Sequence, residues 1–168
     1  MKSGEENGYV LIVAIIAVNL LAIFSLMAAS MWERESERER EAELFFRGNE
    51  YVRAIAKFRK KNLNRYPENI EILFKKKFIR KLYKDPVSDS GEWNFVMKSK
   101  VSGNKKLLIV PAAMLGKYIK RAYLIGVSST SINEGFRVYR GKSRYDEWAF
   151  YFGQKTEKEM PELKFVTE

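Results

Sequence analysis

The chain has 168 residues, a formal net charge of +10 and 46% apolar residues, with neither cysteine nor histidine. That length holds one compact domain beside an anchor but crowds two. The missing thiol and imidazole exclude disulfides, the usual zinc and haem ligand sets, and Ser-His or Cys-His nucleophile pairs, leaving open only a carboxylate site for calcium or magnesium.

The apolar residues are unevenly placed. No charged side chain occurs from Asn7 to Trp32, and YVLIVAIIAVNLLAIFSLMAASMW runs for 24 residues from Tyr9 to Trp32. As a helix rising about 1.5 Å per residue it is about 36 Å long, more than a hydrocarbon core of about 30 Å. Asn19, Ser25 and Ser30 are its polar interruptions, and each can bond within a helix or to a neighbour. Tyr9 and Trp32 bracket the run as interfacial aromatics do. A secretory signal peptide fits poorly, because the leader MKSGEENG is net acidic and the apolar run is long, although Ala28-Ala29-Ser30 has the small residues of a cleavage site. Residues 9–32 are therefore predicted to be a transmembrane helix.

Glu33 to Glu43, ERESEREREAE, has no glycine or proline, so the helix is predicted to continue. Glu35 with Arg38, and Glu37 with Arg40, stand at i,i+3 spacing, and the segment reads as a solvated helical face. Leu44, Phe45, Tyr51, Val52, Ile55 and Phe58 then fall on one helical stripe. The pattern persists to about Asn62 and ends at Asn64-Arg65-Tyr66-Pro67. Residues 33–63 are thus the soluble, amphipathic half of one helix of about fifty residues.

The remaining residues, 64–168, are predicted to form a globular α+β domain. Glu68 to Phe74 reads as a short helix after Pro67. Asp85-Pro86 and Asp89-Ser90-Gly91 signal turns. Strands are predicted at Trp93 to Val101, Leu107 to Val110, Tyr123 to Ser129, Phe136 to Tyr139 and Trp148 to Phe152. Ser102-Gly103-Asn104, Asn133-Glu134-Gly135 and Arg140-Gly141-Lys142 supply the turns. Ala112 to Arg121 fits a helical turn as well as a loop. Sequential strands joined by tight turns imply a small antiparallel sheet, one face of which the amphipathic helix covers.

A basic belt joins the two parts. Lys57, Arg59, Lys60, Lys61, Arg65, Lys75, Lys76, Lys77, Arg80, Lys81 and Lys84 face only Glu68 and Glu71 within that span. Such a patch attracts acidic partners, anionic lipid or nucleic acid. The interleaved Phe58, Tyr66, Phe74, Phe78 and Tyr83 occur in single-strand binders too, but periodic aromatics beside lysines are common on packed helices, which favours core aromatics beside solubilising lysines. Both readings stay open. No enzyme motif is present. Gly126-Val127-Ser128-Ser129-Thr130 lacks the second glycine of a nucleophile elbow, and there is no Walker loop or dinucleotide glycine set. Asp146-Glu147, if in a strand, point to opposite faces and make a poor acid/base pair. A non-enzymatic protein without a cofactor is expected.

The order of these pieces resembles the type IV pilin-like proteins, most closely the pseudopilins of type II secretion systems. Gly8-Tyr9-Val10-Leu11-Ile12 is similar to the junction where a short polar prepilin leader, here residues 1–8, gives way to the apolar helix. Asn64-Arg65-Tyr66-Pro67-Glu68-Asn69-Ile70-Glu71-Ile72-Leu73 resembles the family's turn and helix after the spine. Asp85-Pro86 followed by Gly91-Glu92-Trp93 resembles its approach to the sheet, and Gly126-Val127-Ser128-Ser129 and Tyr145-Asp146-Glu147-Trp148 are also similar. The resemblance implies a pilin-like fold, cleavage between Gly8 and Tyr9 by a prepilin peptidase, and possible N-methylation of Tyr9. It implies a single-pass inner-membrane protein with a periplasmic C-terminal domain, whose partners are other pilin-like subunits and secretion machinery. Two departures stand out. Tyr9 takes the place of the usual phenylalanine, and Val13 that of a glutamate used in assembly, a loss that points to a minor or tip subunit. The alternatives are a DNA-binding minor pilin of a DNA-uptake system, for which the basic belt argues, and a single-pass membrane protein that does not polymerise.

Overall fold

The computed structural model describes residues 3–100, 106–154 and 163–166, leaving aside the side chains of 3–8, 28–31 and 33. The fold is α+β, and its contacts separate into two compact units, Met1–Glu39 and Arg40–Glu168. Helix α1, Ser3–Lys61, contributes to both.

Within the first unit the helix is apolar and exposed. Tyr9–Met27 is 19 residues long with a mean hydropathy of 2.9, and none of it is buried. It is long and apolar enough to cross a membrane. Its polar interruptions are satisfied inside the helix, as expected: Asn19 Nδ2 donates to the Ile15 carbonyl at 2.7 Å, and Ser25 Oγ to the Leu21 carbonyl at 2.8 Å. The Ser30 side chain is outside those described. Farther on, Arg38 reaches Glu35 at 4.0 Å between two exposed side chains, a contact of little energetic weight.

The second unit begins with the amphipathic part of α1. Leu44, Gly48, Tyr51, Ala54, Ile55 and Phe58 are buried along it. Their three- and four-residue spacing is the stripe legible in the sequence. The helix closes at Leu63 and Asn64, which both adopt left-handed backbone (φ 50° and 61°), and Asn64 N donates to the Arg59 carbonyl. The short helix α2 spans Ile70–Lys75, two residues later than predicted at its start. The reason is Asn69, whose side chain accepts from Ile72 N at 3.0 Å and caps the helix.

The strands are β1 Trp93–Ser99, β2 Leu107–Val110, β3 Ala122–Ser129, β4 Glu134–Tyr139, β5 Lys142–Arg144, β6 Ala149–Tyr151 and β7 Leu163–Phe165. A 3-10 turn, Ala112–Met114, and helix α3, Leu115–Tyr118, fill the ambiguous stretch. Five strands form one sheet in the order β6-β3-β1-β2-β7, and β4 with β5 forms a separate ribbon. The expectation of a purely antiparallel sheet is corrected here: β7 pairs parallel to β2, Leu107 opposite Leu163. A parallel neighbour needs a long connection and cannot be read from hairpin turns. The turn read at Ser102-Gly103-Asn104, and Val101, lie outside the described residues.

The sheet is buried on both faces. Trp93, Phe95, Met97, Leu124, Val127 and Phe150 join the stripe of α1 in the main core. Val96, Ile109, Ile125 and Ala149 form a smaller cluster with Leu107. A bulge lets β3 serve both. Val96 pairs with Gly126, but the next residue, Met97, pairs with Leu124, so Ile125 is the extra residue. The skipped step restores the phase and keeps Leu124 and Val127 in one core although they are three positions apart. Gly126 is required at this point: a Cβ would lie 1.9 Å from the Phe150 carbonyl oxygen of the adjacent β6.

Candidate functional site

The candidate side chains lie in three places. The first is the apolar part of α1. Tyr9 is 70% exposed and Val13 is 44% exposed, both on a helix whose described surface up to Met27 is apolar apart from Asn19 and Ser25. Gly8 lies within α1, so the Gly8–Tyr9 bond is in helical backbone. A peptidase would need that turn to unwind, which a glycine favours.

The second is the basic belt, which the fold divides. Lys57, Lys75, Lys77 and Arg80 line an open groove of about 650 Å³ together with Phe74, Phe78 and Ile79. Lys60 and Lys61 are exposed in the last turn of α1, where cations complement the helix dipole. Three other members face aromatic rings. The Arg59 guanidinium stands 4.2 Å from the Tyr66 ring centre and 4.5 Å from that of Phe152. Lys76 Nζ is 5.4 Å from the ring of Phe58, and Lys81 Nζ is 5.2 Å from that of Tyr83. Arg59 is thus drawn into packing, while the groove cations stay at the surface.

The aromatics divide in the same way. Phe58 is core, and Phe78 packs edge-on against it at 5.4 Å. Phe74 is 47% exposed at the groove. Tyr66 stacks on Tyr123 at 4.9 Å. Tyr83 supplies a carbonyl that accepts from both Tyr51 Oη and Trp93 Nε1, each at 2.9 Å. Burial pushes the Tyr51 hydroxyl up to about 12.

The third place was missed in the sequence. Glu41 is fully buried, although Glu33 to Glu43 read as a solvated face. Its Oε1 accepts from the backbone N of Phe136, from Arg137 N at 3.3 Å and from Tyr145 Oη at 3.0 Å. Its Oε2 faces Arg137 Nε at 3.5 Å. Gly135, read as part of a turn, lies in β4 beside this carboxylate, where a Cβ would come within 3.0 Å of Oε1 and 2.6 Å of the Trp148 ring. The signal was the stripe itself. One helical step back from Leu44 lands on Glu41.

Asp146 and Glu147 sit in a 3-10 turn, Tyr145–Glu147, and not in a strand. Asp146 takes two hydrogen bonds from Arg144, at 3.1 and 2.7 Å, and Glu147 takes one from Lys142 at 2.9 Å. Each carboxylate is tied to its own cation. Asp85 is likewise structural, accepting from Ser129 Oγ at 2.6 Å and Val87 N at 3.0 Å. Among the described residues no cluster of three or more carboxylates could hold a metal ion. Compared with known proteins, the chain matches no family model, no curated sequence and no solved structure.

Proposed function

We propose that this protein is a pseudopilin-like structural subunit of a type II secretion or related type IV pilus machine. In this reading it is held in the inner membrane by Tyr9–Met27, its C-terminal domain is periplasmic, and it assembles through its N-terminal helix. The observation that carries the reading is the make-up of α1. An apolar segment with no buried residue and a stripe packed on a β-sheet belong to one helix, Ser3–Lys61. The order of the motifs after α1 and Gly8 before Tyr9 support the same reading. Val13, where such subunits usually carry a glutamate, favours a minor or tip position.

Cross-linking tests assembly. The chain has no native cysteine, so single cysteines at Leu11, Val18 and Phe24 report helix contacts without background. In membranes with the secretion machinery present, oxidation is expected to give covalent adducts between this chain and another apolar-helix subunit at one or more of these positions. Monomer alone at all three would favour a single-pass protein that does not polymerise.

A further inference from the structure

The groove beside the C-terminal end of α1 has a composition that the assembly role does not use. The span from Lys57 to Lys84 holds eleven cations against two carboxylates, a net +9 of the chain's +10. Folding gathers Lys57, Lys75, Lys77 and Arg80 around an opening of about 650 Å³ that Phe74 and Phe78 also line. Phe78 is fixed by Phe58, while nearly half of Phe74 remains exposed.

Lys77 is held there in an unfavourable conformation. Lys77 N donates to the Phe74 carbonyl and Phe78 N to the Leu73 carbonyl, so α2 ends in a Schellman turn with Lys77 at the left-handed position, φ 59°. Glycine takes that position without steric cost, and lysine does not. The helix dipole accounts for a cation in the last turn, as at Lys75. It does not account for a strained lysine beyond that turn, nor for Lys57 and Arg80 on other segments converging on the same opening. Strain kept at a surface side chain points to a use for that side chain.

We propose that this groove binds a single-stranded nucleic acid, its phosphates on Lys57, Lys75, Lys77 and Arg80 and a base stacked on Phe74. A cationic groove with an exposed aromatic side chain in its lining is the arrangement that tracks a single strand. A duplex would use the cations and leave Phe74 without a role. The site is independent of the assembly reading and stands if that reading fails.

The test uses the full chain in nanodiscs of neutral phosphatidylcholine and fluorescein-labelled dT20, followed by anisotropy. Binding is expected at 50 mM salt, and neutralising four phosphates should weaken it about 50-fold by 200 mM. Glutamine at Lys57, Lys75 and Arg80 together should flatten that salt dependence. Phe74→Ala should weaken dT20 at least about fivefold and leave the salt slope unchanged. Lys77→Gly separates binding from folding: it should raise the melting temperature while weakening dT20. Several results would overturn the proposal. These are no dT20 binding at 50 mM salt, equal affinity for polyglutamate, and equal binding by the Lys57/Lys75/Arg80 variant. A 20-base-pair duplex bound as tightly and indifferent to Phe74→Ala would also do so, as would binding to phosphatidylglycerol vesicles in place of dT20.

Discussion

Tyr145 donates its phenolic hydrogen to Glu41 Oε1 at 3.0 Å, joining residues 104 positions apart. The same oxygen holds the backbone of Phe136 and Arg137. One buried carboxylate therefore ties α1 to both the start of the β4-β5 ribbon and the 3-10 turn after it. Glu41→Ala would remove the acceptor shared by two amides and a phenol, and the ion pair with the exposed Arg137. A loss of about 3 kcal/mol is expected, because buried donors lose a charged acceptor. Glu41→Gln keeps one acceptor oxygen and should cost less. Urea unfolding of the two variants measures the difference, and equal losses would argue against the network.

Close packing makes a second expectation at Gly48. A Cβ there would lie 2.5 Å from the Phe150 ring. Gly48→Ala should destabilise by about 1–3 kcal/mol through overpacking, despite alanine's better helix propensity. Phe150→Leu in the same chain should recover part of that loss. A double-mutant cycle reads the coupling directly.

The Tyr51 hydroxyl gives a pH dependence with a definite sign. Its pKa is raised by burial to about 12 from 10.0. The native state thus holds a proton that the unfolded chain releases first. Its contribution is intact below pH 10 and is lost as pH rises from 10 to about 12. The loss amounts to about 2–3 kcal/mol. Tyr51→Phe should remove this part of the alkaline fall while costing about 1 kcal/mol at neutral pH for the bond to the Tyr83 carbonyl. Stability measured from pH 8 to 12 in both chains checks it.

Membrane insertion is tested at the middle of the apolar segment. Val18 is the central residue of Tyr9–Met27. Val18→Arg adds about 3 kcal/mol to insertion at a helix centre. The variant should shift toward the soluble or aggregated fraction, whereas Arg34→Ala should leave fractionation unchanged.

Much of the architecture was legible, and the misses have physical causes. The stripe from Leu44 to Phe58 and the strands at Trp93, Leu107 and Ala122 follow from local periodicity, which the chain carries in its own order. Strand β5 is three residues of polar sequence, and β7 pairs in parallel across a long gap in sequence, so neither leaves a local pattern. Glu41 was hidden for a different reason. Its burial depends on amides and a phenol about a hundred residues away, and among repeated Glu and Arg residues its side chain looks like its neighbours. The basic belt was visible as composition, but only the fold separates the groove lysines from Arg59, which stands over Tyr66 and Phe152.

The most direct measurement on the central proposal is the N-terminal sequence and intact mass of the protein extracted from membranes of cells with an active prepilin peptidase, alongside cells lacking it. The expected result is a chain beginning at Tyr9 in the first and at Met1 in the second, with Gly8→Ala blocking the change. A chain that begins at Met1 in both would contradict pilin-like processing and leave Tyr9–Met27 as a plain anchor.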